Sequence, residues 1–159
     1  MSHLHEVVIT AIVVKDGKYL IIKRHPNKKR FPSMWTVPGG KLETSDYTQH
    51  PKDTQAYWYN VLERTLRREV MEEVGLDITN IDYVTSLATI HADGSPSIVI
   101  SCMADWKGGE VRLQAEEAVE HTWVTFEEAK KYNLIDGILD ELAMADKRRN
   151  GDRGEWVRA

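Results

Sequence analysis

An apolar residue stands at every fourth position from Leu62 through Leu66 and Val70 to Val74, and Gly75 follows. Side chains four apart share one face of a helix, so this run forms a single apolar stripe that must be covered by something else. The pattern predicts a helix over about residues 54–74, capped by Asp53 or Thr54 and stopped by Gly75. The rest of the chain supplies strands to cover it. Residues 7–14 and 18–22 are rich in Val and Ile on either side of Asp16-Gly17, a hairpin signal. The first run is apolar almost throughout, as a strand buried on both faces would be. Trp35-Thr36-Val37 reads as a short strand, ended by Pro38-Gly39-Gly40, through which neither strand nor helix continues easily. Residues 45–53 are polar and aperiodic. Residues 81–91 and 97–106 read as strands about the turn at 93–96, residues 107–110 as a turn, and Thr122-Trp123-Val124 as a last strand. Thr125 and Glu128 fit a capping box, with helices over 126–131 and 135–147. These elements predict an α/β fold, a mixed sheet covered by helices on its faces. We expect one domain over 1–159, with its core in about 7–147 and a charged, Gly-rich, mobile tail from 148 to 159.

The formal net charge of this 159-residue chain is -4, so no global field holds duplex nucleic acid, and any phosphate must meet local cations or a metal. The basic stretch His25-Pro26-Asn27-Lys28-Lys29-Arg30 reads as a solvated loop or as a source of such cations. Cys102, the one cysteine, lies in an apolar run; it reads as a buried, inert thiol and fits a reducing, cytoplasmic compartment. No apolar run is long enough to span a membrane, and the N-terminal residues lack the pattern of a signal peptide.

The chemistry concentrates in Arg68-Glu69-Val70-Met71-Glu72-Glu73-Val74-Gly75-Leu76. On a helix Glu69, Glu72 and Glu73 converge beside the apolar stripe. Three carboxylates so close repel one another, and a cation relieves the repulsion. An oxygen-only set suits a hard ion such as Mg²⁺, which also binds phosphate oxygens. A solvated acidic face is the plain alternative. Against it, basic partners at four-residue spacing are sparse, and the Gly39-Gly40 turn upstream supplies backbone able to approach a metal or a phosphate closely.

Residues 68–76 resemble the second half of the Nudix box: Arg-Glu, an apolar residue, any residue, Glu-Glu, any residue, Gly, an apolar residue. Gly40 to Asp46 resembles its first half, with Asp46 where the family usually has Glu. The gap from Asp46 to Arg68 is about fourteen residues longer than in the family, and the extra piece lies within residues 47–62. The resemblance implies the Nudix α/β/α sandwich with a mixed sheet. It implies hydrolysis of a phosphoanhydride bond in a nucleoside diphosphate linked to another group, such as a nucleoside triphosphate, with Mg²⁺ or Mn²⁺ as cofactor. By the same resemblance Glu69, Glu72 and Glu73 bind the metal, a backbone carbonyl of Gly39 or Gly40 completes the shell, and Arg68 orients a glutamate. A further carboxylate comes from the loop before the Trp123 strand: Glu117 first, then Glu120 and Glu116. Two rivals share the fold. One is a nucleotide sensor that no longer cleaves, which retention of all three glutamates disfavours. The other is an isomerase, for which Cys102 is a poor acid–base candidate. The implied partner is a small nucleotide. Tyr57-Trp58-Tyr59 in the insertion, placed near the metal face by its sequence position, is left open between filler, substrate wall and homodimer contact.

Overall fold

The computed structural model describes residues 3–159; Met1 and Ser2, part of the N-terminal stretch read above, lie outside the described residues. In chain order the elements are β1 (Glu6–Lys15), β2 (Lys18–Arg24), β3 (Trp35–Thr36), β4 (Gly39–Lys41), α1 (Ser45–Thr48), α2 (Val61–Val74), β5 (Asp77–Ile90), β6 (Pro96–Gly108), β7 (Ala118–Val124), α3 (Phe126–Ala129) and α4 (Ile138–Arg149). The seven strands form one sheet with the central path β3-β2-β1-β6-β5. β1 and β6 run parallel and the other pairs antiparallel, so the sheet is mixed as the sequence predicts.

Alternate residues of a strand face opposite sides of a sheet, and the core divides accordingly. Ile9, Ala11 and Val13 of β1 pack with Leu20, Ile22 and the α2 stripe Leu66, Val70, Val74. Ile12, Val14, Tyr19 and Ile21 pack on the other face with Ile138, Leu142 and Ala145 of α4. This two-sided burial accounts for the continuous apolar run in β1 and makes the molecule an α/β/α sandwich. The β1–β2 turn holds Asp16 at φ 50° and Gly17 at φ 76°, as the hairpin signal requires. α4 is tied down by side chains at its end: the Tyr19 hydroxyl donates to Asp146 and accepts from Arg149, and Arg148 donates to the Val84 carbonyl at 2.9 Å.

The sheet splits where the site will form. Ile22 pairs with Thr36 of β3 and with His121 of β7, so these strands flank β2 on opposite edges. β1 pairs with β2 at Val14 and Lys15, but at Val8, Ile9 and Thr10 it pairs with β4 instead. Residues 35–41 therefore fill the gap where β1 and β2 diverge. The Gly39-Gly40 pair, expected to interrupt regular structure, forms a short strand here. A Cβ on Gly39 would run into the Ile9 carbonyl and Thr10, so only glycine lets β4 lie this close to β1.

The remaining differences from expectation lie at element ends. α2 starts at Val61, seven residues later than the stripe predicts, because Asn60 adopts the left-handed conformation at φ 55°. Asp53 caps its own loop instead of a helix: its carboxylate accepts from the Tyr59 N–H at 2.8 Å. Residues 45–48, read above as polar and aperiodic, form the short helix α1, whose second half opens the insertion. β5 begins at Asp77 and β6 runs through Gly108, so Lys107 and Gly108 are strand residues, not turn. Arg148 and Arg149, assigned above to the tail, are the last residues of α4; residues 150–159 carry no helix or strand.

Candidate active site

Glu69 and Glu73 stand on the α2 face that looks toward the split in the sheet. The Gly39 N–H donates to Glu73 Oε2 at 3.1 Å. A Cβ on Gly40 would fall on the Glu69 carboxylate, so α2 and β4 meet through a residue without a side chain. Glu73 is buried, Glu69 partly so, and Glu72 is half exposed at the rim. Glu117 reaches the same place from a different part of the chain. The segment after β6 runs along the end of α2, where Arg112 N–H bonds Val74 O and Gln114 N–H bonds Glu73 O, both at 2.9 Å. It then turns so that the Glu117 carbonyl accepts from His25 N–H at 2.9 Å. Burial, then the Glu69 and Glu117 charges, raise the Glu73 pKa to about 7, against the lowering effect of Gly39 N–H and Arg24. Burial also raises Glu69, and the Glu72 and Asp46 charges add to this, while Arg68 opposes it.

Arg68 organises the exposed side of the cluster. Its guanidinium grips Asp46 with two bonds, Nε to Oδ1 at 2.5 Å and Nη2 to Oδ2 at 3.1 Å. Nη1 contacts Glu69 at 2.9 Å and Glu72 at 3.1 Å. Asp46 is buried, which raises its pKa. Bonds from Arg68, the Glu43 N–H and the Thr65 hydroxyl outweigh the burial, and the carboxyl titrates below its ordinary value. The position that departs from the Nudix pattern thus still meets the box arginine, and the insertion loops out between them.

Of the acids singled out in the sequence, Glu69, Glu72, Glu73 and Glu117 are brought together. Glu120 pairs instead with Lys23 at 3.1 Å, and Glu116 lies near Gln114 at 3.5 Å. Four more participants join the gathered acids: Asp46, noted in the sequence only as a departure from the box, and Thr65, which hold Arg68, with Arg24 and, from the basic stretch, Lys28. Arg24 is half-buried and faces Glu73 and Glu117; its desolvation lowers its pKa, and those two charges raise it. Lys28, from the basic stretch, bonds Glu117 at 2.7 Å. The aromatic cluster does not join them. It packs at the N-terminal end of α2, where Trp58 lies against Tyr47 at 5.3 Å. Val61 precedes Glu69 by eight residues, about 12 Å of helix.

The donors in this cluster are all oxygens, and Glu73 and Glu69 are raised chiefly by burial, with the neighbouring carboxylate charges adding to it. Among the described residues no three acidic, histidine or cysteine side chains already stand in metal-ligating geometry. Arg68 occupies the place between Glu69 and Glu72. A hard divalent ion fits the chemistry of this donor set, and the side-chain-free backbone of Gly40 leaves Glu69 room beside it.

The profile of the NUDIX domain matches residues 3–142. The chain belongs to the NUDIX family. It is 28% identical over 120 residues to the NAD-capped RNA hydrolase NudC of Mannheimia succiniciproducens, covering 74% of this chain and 39% of that protein. It is 25% identical over 139 residues to the nucleoside triphosphatase NudI of Escherichia coli K12, covering 80% of this chain and 86% of that one. The chain thus spans less than two fifths of NudC but most of NudI. Its fold matches a MutT NUDIX hydrolase from Burkholderia pseudomallei with a TM-score of 0.71 at 22% identity, covering 89% of this chain and 98% of the other.

Proposed function

We propose that the protein is a divalent-metal-dependent pyrophosphohydrolase that cleaves a phosphoanhydride bond in a nucleoside triphosphate. The convergence of Glu69, Glu73 and Glu117 behind the Gly39-Gly40 backbone carries this reading. The likeness to NudI over most of both chains supports the triphosphate as substrate. Glu69, Glu72, Glu73 and Glu117, with a carbonyl of Gly39 or Gly40, would hold Mg²⁺ or Mn²⁺. When bound, the ion supplies charge neutralisation at the phosphoryl oxygens and a more acidic water.

The chain's own groups do the rest. Asp46 fixes Arg68, and Arg68 holds Glu69 and Glu72 apart in defined poses. Arg24 and Lys28 balance the buried acids and stand ready to meet phosphate oxygens as negative charge moves to the leaving group. One carboxylate of the cluster takes the proton of the attacking water. The buried thiol of Cys102, pushed up to about 11 by burial, stays protonated and plays no part, and it fits a reducing, cytoplasmic setting.

Turnover of a nucleoside triphosphate, followed by pyrophosphate or phosphate release, is expected to vanish with chelator and return with Mg²⁺ or Mn²⁺. Glu72→Gln and Glu73→Gln should each lower kcat by about 10²-fold or more, the scale of a lost electrostatic stabiliser. Parent-like turnover in both variants, or full activity after exhaustive chelation, would overturn the proposal.

A further inference from the structure

Glu6 is a carboxylate that the reading above does not use, and four other segments converge on it. Lys41 of β4 contacts Oε1 at 2.5 Å. Arg30, from the loop between β2 and β3, contacts Oε2 at 3.0 Å. Ser97 of β6 donates to Oε2 at 2.7 Å, and His91, beyond the end of β5, stands 3.7 Å from the same oxygen. His91 and Ser97 are themselves in contact at 2.7 Å. The bonds from Lys41, Ser97 and Arg30, in that order, pull Glu6 down to about 2, so it is charged at any working pH.

The place of this group matters more than its strength. Lys41 follows Gly40 directly, and the Lys41 carbonyl accepts from Arg68 Nη2 at 3.4 Å. The Arg30 carbonyl accepts from Arg24 Nε at 3.0 Å, and Arg24 faces Glu73 and Glu117. Alternation along β4 turns the Lys41 side chain to the sheet face opposite Glu69. An acid cluster and a cation cluster therefore flank the same two-glycine strand, and no side chain stands between them at Gly39 or Gly40. With one carboxylate shared between Arg30 and Lys41, the second cluster keeps a net positive charge in a chain of net charge -4. Both cations remain partly exposed, at 36% and 56%.

We propose that Glu6 is a positioning residue: it holds Lys41 and Arg30 beside the Gly39-Gly40 backbone to receive the charged distal phosphate of a nucleoside triphosphate. This rests on the function proposed above. Strand alternation already turns Lys41 away from the acids, and Glu6 fixes where its ammonium and the Arg30 guanidinium stand on that side of β4.

The test compares a nucleoside triphosphate with a nucleotide sugar of the same base, whose distal group is uncharged. For Glu6→Gln, KM for the triphosphate should rise about fivefold or more, the scale of one charge-assisted contact, with kcat changing less than about twofold. KM for the nucleotide sugar should rise less, and Glu6→Asp should restore part of the loss. Lys41→Gln should raise the same KM, and adding Glu6→Gln to it should cost less than Glu6→Gln alone, because Glu6 acts through Lys41. An equal KM rise for both substrates, or none for either, overturns the proposal. Calorimetric binding of inorganic triphosphate with Mg²⁺ decides the matter separately from turnover. The parent should bind it about fivefold or more tightly than Glu6→Gln, and equal affinity overturns the role of Glu6 even where hydrolysis is confirmed. If the parent hydrolyses neither substrate, the functional reading fails and the binding comparison still judges Glu6. Should Glu6→Gln fail to fold, Arg30→Gln and Lys41→Gln carry the same measurements.

Discussion

A buried carboxylate stays ionised only if donors replace its lost water, and Asp46 has them from Arg68, Thr65 and the Glu43 N–H. Its depressed pKa means that its contribution to stability is present above the unfolded value of 3.8 and is lost as pH falls through the lower folded value. Asp46→Asn should therefore destabilise the protein by about 1–3 kcal/mol at neutral pH, measured by urea unfolding. It should also lower turnover, because Arg68 loses its anchor. Asp46→Glu is expected to keep more of both, as the shorter acid stands where the family uses the longer. If Asp46→Asn matched the parent in both measurements, Arg68 would not need this anchor. The glutamates of α2 were legible in the sequence because helical periodicity alone puts them on one face. Asp46 was visible only as a departure from a motif. Its meeting with Arg68, twenty-two residues on, depends on where the insertion loops out, which local spacing does not encode. Arg24 was hidden for the same reason, and Lys28 was legible only as one of a basic stretch: contacts with Glu73 and Glu117 join distant segments.

At the scale of elements, strands and their order were readable from periodicity, and the ends were not. The stripe of α2 begins at Leu62, and the helix does not extend back to Tyr57 and Trp58 although Val61 and Leu62 stand four places on from them. The helix prediction overran into a segment whose own bonds are better. Asp53 closes that loop through Tyr59 and Tyr57 backbone, and Trp58 donates to the His50 carbonyl at 2.8 Å. Within the aromatic triplet Trp58 is the packed member, while Tyr57 and Tyr59 are exposed at 66% and 58%. Trp58→Ala should destabilise the loop by about 1–3 kcal/mol, whereas Tyr57→Ala with Tyr59→Ala should stay within about 0.5 kcal/mol. The double variant is also expected to keep the parent KM, since the cluster sits two turns of α2 away from Glu69. A raised KM would restore the substrate-wall reading. A mass in solution that falls on substitution would instead make the two tyrosines a contact between copies of the chain. The brief strand β4 escaped sequence reading altogether, because a Pro-Gly-Gly run carries no side-chain pattern and its pairing depends on the gap that β1 and β2 leave.

For the whole molecule, two buried acids with raised pKa, Glu73 and Glu141, lie on opposite faces of the sheet, and they couple stability to pH in separable ways. Glu73 is raised to about 7, chiefly by burial. Glu141, under α4, is also raised by burial; the nearby Ser101 hydroxyl opposes this without reaching hydrogen-bond geometry, and Asp140 adds to it. A carboxyl with a raised folded pKa costs nothing below its unfolded value, near 4.5, and costs progressively more as pH rises through the folded value. The metal-free protein should therefore lose stability between about pH 5 and pH 8, by roughly 1–3 kcal/mol from Glu73 alone. Glu73→Gln and Glu141→Gln should each flatten that slope. Mg²⁺ separates them. Protons compete with the ion only at the face where it binds, so the rise in Tm on adding Mg²⁺ should grow from pH 5.5 to pH 8. Glu73→Gln should reduce that growth, leaving the smaller part that Glu69 supplies, while Glu141→Gln, with the sheet between it and the acid cluster, should leave it intact. A Mg²⁺-induced shift that is the same at every pH, or that Glu141→Gln removes and Glu73→Gln does not, would place the ion elsewhere than on the α2 face.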